Sequence, residues 1–137
     1  MDYTMKQRVA ADFDTAVDAT LDALEAEGFG VLCDIDVRAT LEEKLGEEFR
    51  QYRILGACNP PLAHEALTAE LELGALLPCN VVVYEDDDGV VVAAVDPHRL
   101  VSVADNDALA TVAEEVHERF EHVLAAVGER LESPAAD

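Results

Sequence analysis

Cysteine followed by asparagine occurs twice, at Cys58-Asn59 and Cys79-Asn80, and these two dipeptides are where the chain could do chemistry. The first lies in Gly56-Ala57-Cys58-Asn59-Pro60-Pro61, where a strand should end and a helix begin. Asparagine is a favoured helix cap and proline is tolerated in a first helical turn. Unpaired backbone N–H groups and the positive end of the helix dipole would therefore meet beside one thiol. Such a setting favours an anion and favours the thiolate, the form that a nucleophile, a redox thiol or a metal ligand needs. A small buried hydrophobe at a tight turn would use the same residue types. In Leu77-Pro78-Cys79-Asn80 the proline enters a strand and sets Cys79 and Asn80 at its first positions, near a sheet rim. If both turns share one sheet edge, the two thiols and two amides line one pocket, which makes Cys58, Asn59, Cys79 and Asn80 the candidate ligand-binding residues. The plainer alternative is a strand entry whose cysteine points into the core.

Other groupings carry less. His64, His98, His117 and His122 offer metal ligands, and Glu114-Glu115-Val116-His117 has the E-x-x-H spacing of di-iron bundles. That chemistry needs matching motifs from other helices, and His117 and His122 would point about 140° apart around one helix, so they read as a solvated helix face. Glu85-Asp86-Asp87-Asp88-Gly89 resembles the start of a calcium loop but lacks the downstream glutamate and fits a hairpin turn. Gly28-Phe29-Gly30 precedes a strand, and Cys33 stands where a dinucleotide loop needs its third glycine. Ser102 and Ser133 are the only serines, and neither sits in a nucleophile elbow. Cys33, inside an expected strand, reads as core.

The elements that must position these residues follow from periodicity and caps. Tyr3 to Ala10 reads as a strand; Asp12 caps a helix with Phe13, Val17, Leu21 and Leu24 on one face, ended by Gly28. Phe29 to Ile35 suits a second strand, with Asp36 capping a short helix stopped by Gly46. Arg50 to Ala57 is a third strand, and the helix after Asn59 carries Leu62, Ala66 and Leu67. Asn80 to Tyr84 and Val90 to Val95 form an antiparallel hairpin around Asp88-Gly89. After Asp96-Pro97 and a loop, a long helix starts near Asp105 to Asp107, its apolar stripe being Leu109, Val112, Val116, Phe120, Val123 and Val127. The pattern predicts one small α+β domain over residues 1–132: a mixed, mostly antiparallel β-sheet packed by helices, ending in the long helix. Residues 133–137 read as a loose tail.

At 137 residues the chain can fill one core, not two. Half of its residues are hydrophobic, which separates it from disordered chains. Thirty Asp and Glu face nine Lys and Arg, a formal charge of −21. Carboxylates spread through every expected helix and loop read as adaptation to a high-salt interior rather than as one acidic patch for a basic partner. The same field argues against nucleic acid and against an anionic membrane. No run approaches a membrane span, and Met1-Asp2-Tyr3 has no signal-peptide character. An odd set of three cysteines without CxxC pairing suits reduced thiols in the cytoplasm.

With these residues laid out, Glu27 to Leu32, Tyr52 to Ala63 with its Gly-Ala-Cys-Asn-Pro-Pro-Leu-Ala block, Leu76 to Val83 with its Leu-Leu-Pro-Cys-Asn block, and Asp96-Pro97 resemble the domain of unknown function 302 family. The resemblance covers nearly the whole chain. It implies a compact α+β domain, a homodimer, cysteines at Cys58 and Cys79 but not at Cys33, and no settled activity or cofactor. Three functions follow as expectations. The first is a small-ligand or metal-binding module built on the two Cys-Asn turns. The second is a thiol-dependent redox or sulfur-handling enzyme, and the third a structural homodimeric interaction domain.

Overall fold

The Asp12 carboxylate accepts the Thr15 amide at 2.8 Å and starts helix α1, Phe13–Ala26. Gly28, at φ +85°, turns the chain out of it in the left-handed conformation that glycine adopts without strain. Asp36 caps α2, Val37–Leu45, in the same way, and Gly46 ends it. Asn59 caps α3, Pro60–Ala69. These boundaries lie where the caps and stops predict them. The computed structural model describes residues 2–131, so the tail expected over residues 133–137 lies outside the described residues.

Five strands, β1 (Thr4–Val9), β2 (Gly30–Asp36), β3 (Tyr52–Cys58), β4 (Cys79–Asp86) and β5 (Gly89–Val95), form one sheet in the order β1-β5-β4-β3-β2. All four pairings are antiparallel, so the fold is α+β and goes further than the mostly antiparallel sheet expected. The β4–β5 hairpin is present, but its two-residue turn is Asp87-Asp88, one residue earlier than predicted. The Asp86 carboxylate accepts the Asp88 amide at 2.9 Å, closing the turn locally. Gly89, at φ +134°, then takes the first position of β5 opposite Asp86.

Two elements were not expected. A 3₁₀ segment, Leu71–Leu76, follows α3. Where a loop was expected, Asp96 accepts the His98 amide at 2.9 Å and starts α4, Pro97–Ser102. A final turn capped by Asn106 leads into α5, Ala110–Leu131.

Alternation sends Leu55, Ala57, Val81, Val83, Val92 and Ala94 to one face of the sheet, where they join the core. Helices α1 and α5 cover that face, and the apolar stripe of α5 is buried along its length. Phe120, fully buried, stacks on Phe29 with ring centroids 4.9 Å apart. On the other face Tyr52 opposes Tyr84 across the β3–β4 ladder and the rings stack at 5.6 Å. No helix among the described residues is long and apolar enough to cross a membrane.

Candidate functional site

The end of β3 and the start of α3 form one unit. The Asn59 side-chain oxygen accepts the Leu62 amide at 3.2 Å, and its backbone carbonyl accepts the Ala63 amide at 2.8 Å. Asn59 is buried because Gly28 lies over it: a Cβ on Gly28 would stand 3.0 Å from both the Asn59 Nδ2 and an Arg119 guanidinium nitrogen. That guanidinium in turn donates to the Glu27 carbonyl at 2.7 Å, tying α5 to the end of α1.

The β3–β4 register decides what the two Cys-Asn turns share. Ala57 pairs with Cys79 and Gly56 with Asn80. Directly opposed residues project to the same face, and successive residues to opposite faces. Cys79 therefore sits with Ala57 on the helix-covered side, and Asn80 is exposed on the other. Cys58, Asn59 and Cys79 line one cavity of about 310 Å³, walled by Leu62 and Ala66 of α3, Leu73 of the 3₁₀ segment, Val101 of α4 and Val116 of α5. Asn80 is not among its lining residues; it borders a separate hollow with Tyr52 and Tyr84. Two thiols and one amide of the expected four groups thus meet.

The third cysteine corrects an expectation. Cys33 is exposed, not core. It pairs with Gly56 on the edge strand β2, just past a bulge between Val31 and Cys33, and so shares the face of Asn80. A Cβ on Gly56 would meet the Cys33 Sγ at 2.6 Å and the Pro78 Cγ at 2.8 Å. Glycine at that position is what lets a side chain from each neighbouring strand region close over β3.

The electrostatics at Cys79 oppose a thiolate. Burial, reinforced by the charge that a Cys58 thiolate would add, pushes the Cys79 thiol up to about 11 from 9.0. Among the described residues no His, Asp, Glu, Lys or Arg lines the cavity, so it holds no base to take a thiol proton. All three cysteines are free. In native protein treated with iodoacetamide at mildly alkaline pH, Cys33 is expected to label first and Cys79 last, with Cys79 labelling rising only as pH approaches 11. Peptide mass mapping over a pH series checks this order, and early labelling of Cys79 would contradict the buried, proton-retaining environment described.

One grouping escaped the sequence: His98 of α4 stands beside Glu114 and His117 of α5. The E-x-x-H spacing was visible, but its third member lay on a helix read as loop.

The family model for the domain of unknown function DUF302 matches residues 5–127. No curated protein matches the chain. The structure of an uncharacterized conserved DUF302 protein from Bacillus stearothermophilus is similar, with a TM-score of 0.87 and 29% identity, covering 93% of this chain and 99% of that one.

Proposed function

This chain belongs to the DUF302 family, a domain of unknown function, and from that premise we propose that it is a binding module for one small, uncharged, mainly apolar molecule held in the cavity beneath α3, α4 and α5. The observation that carries the reading is the cavity itself, about 310 Å³ walled by aliphatic side chains and Phe29, with two thiols and one helix-capping amide as its polar features. Dry apolar cavities of about 150 Å³ take up benzene, so a space twice that size suits a bicyclic or short branched molecule. Convergence of an apolar pocket with a few polar groups is the usual form of a small-molecule site. The net charge of −21 disfavours an anionic ligand, even though the start of α3 borders the cavity. Cys58 and Cys79 serve as soft, polarisable contacts in this reading, and the proton held on Cys79 counts against the thiol-enzyme alternative. The reading places the module in a reducing, salt-rich cytoplasm, which free cysteines and an acidic surface suit.

N-phenyl-1-naphthylamine, an uncharged fluorophore that brightens in apolar surroundings, provides the test. Wild-type protein is expected to bind it with enhanced emission. Ala63→Phe, at the half-buried edge of the cavity, and Ala66→Phe, inside it, are expected to lower the affinity at least tenfold while circular dichroism stays native. Unchanged binding in both folded variants, or no binding to wild type, would remove the reading.

A further inference from the structure

Beyond the cavity, we propose that His98, Glu114 and His117 form a binding site for a divalent first-row transition-metal ion of the zinc type. Their ligand atoms all lie within 4.8 Å of one another. The His98 Nε2 is 3.2 Å from a Glu114 carboxylate oxygen, and the two imidazole rings have centroids 5.0 Å apart. Donors held at about 2.0–2.2 Å from a tetrahedral ion stand roughly 3.4 Å apart, so the His98–Glu114 pair is already near the required separation, and the His117 donor lies within 4.8 Å of both.

The local structure explains why these three meet. Glu114 and His117 are three residues apart on α5 and so share a helix face. His98 is placed by the Asp96 cap and Pro97, which set α4 against α5. The His117 Nδ1 lies 3.6 Å from Glu121, one turn further along the same helix. With Nε2 as the ligand atom, that carboxylate would support the ring from behind, as metal-bound histidines commonly have. Two imidazoles and one carboxylate suit zinc, cobalt, nickel or ferrous ions, whereas magnesium and calcium favour all-oxygen sets. Three protein donors leave a coordination position for water or a further ligand.

The site also has a place in the architecture. Pro97, Ala113 and Val116 line the cavity, and each directly precedes one of the three ligands. An ion here would fasten α4 to α5, two walls of the cavity, from beside the ligand space rather than within it. The strongly negative chain raises the local concentration of any divalent cation.

The test must separate this site from diffuse attraction to surface carboxylates. Cobalt(II) and zinc are titrated into the full chain at molar KCl with excess magnesium, which occupies oxygen-only sites. The expected result is one equivalent per chain, with the visible absorption of nitrogen-ligated cobalt displaced by zinc. His98→Ala and His117→Ala are each expected to weaken binding at least about tenfold, a loss typical of disturbed metal sites, and Glu114→Gln to weaken it in the same direction. His122→Ala, whose ring faces Glu27 instead, should leave it unchanged. Absence of binding to wild type, equal binding by His98→Ala, or an equal loss in all four variants would overturn the proposal. Circular dichroism of the metal-free variants confirms that each is folded. Because the readout is metal stoichiometry, its failure would leave the cavity reading standing.

Discussion

Replacing Phe120 by alanine is expected to destabilise the protein by about 3–5 kcal/mol, the range for emptying a fully buried phenylalanine position. Phe120 has no exposed surface and lies midway along α5. Its ring stacks on Phe29, at the entry to β2, with an interplanar angle of 25°. Offset aromatic pairs add roughly 0.5–1.5 kcal/mol beyond the area they bury. Phe29 also lines the cavity, so the lost ring would loosen one of its walls. Small domains are stable by about 5–15 kcal/mol, and the substitution would remove a large part of that margin. Urea unfolding at constant high salt, followed by circular dichroism, measures the loss. Guanidinium chloride is unsuitable, because its own ionic strength would screen the surface charge. A change below about 1 kcal/mol would be incompatible with a core in which α5 is anchored through this ring.

The second large effect is the dependence of stability on salt. Among the described residues four ion pairs join an arginine to a carboxylate, and three further carboxylates lie against histidine rings. Thirty carboxylates share nine Lys and Arg side chains, so most carboxylates have no cation to balance them. Their mutual repulsion works against the compact state at low ionic strength. It is largely screened once the Debye length shrinks from about 10 Å at 0.1 M to about 3 Å at 1 M. The melting temperature is therefore expected to rise on the order of 10 °C between dilute and molar KCl, equivalent to about 3 kcal/mol for a chain of this size. Potassium chloride is the suitable salt because it acts mainly by screening. A rise that is steep at low concentration and then saturates is the signature expected. A flat or falling melting temperature would show that the native surface already accommodates its charge, and would remove the high-salt interpretation of the composition.

Much of the fold was legible in short stretches. Asp12, Asp36 and Asn59 cap helices where a residue of that type precedes an apolar stripe, and Gly28 and Gly46 stop them. The stripe of α5 was readable because 22 residues repeat one spacing. Helix α4 was not, because six residues are too few for a periodic signal, although Asp96-Pro97 carried a cap and a helix-start proline. The hairpin turn slipped by one residue because Asp87, Asp88 and Gly89 all tolerate turns, and only the pairing of Asp86 with Gly89 chooses between them.

The candidate site divides along the same line. That Cys58-Asn59 ends a strand and caps a helix was determined by the sequence alone, since a cap is a contact among residues three apart. That Cys79 joins it in one cavity while Asn80 does not was decided by the β3–β4 register, in which a shift of one residue would exchange their faces. The exposure of Cys33 depended on β2 being an edge strand with a bulge, a property of the sheet order. The meeting of His98 with Glu114 and His117 likewise required α4 to pack on α5. Composition, caps and periodicity act within a few residues and so are written locally. Which distant side chains share a cavity or a cluster depends on strand register and helix packing, which only the assembled core sets.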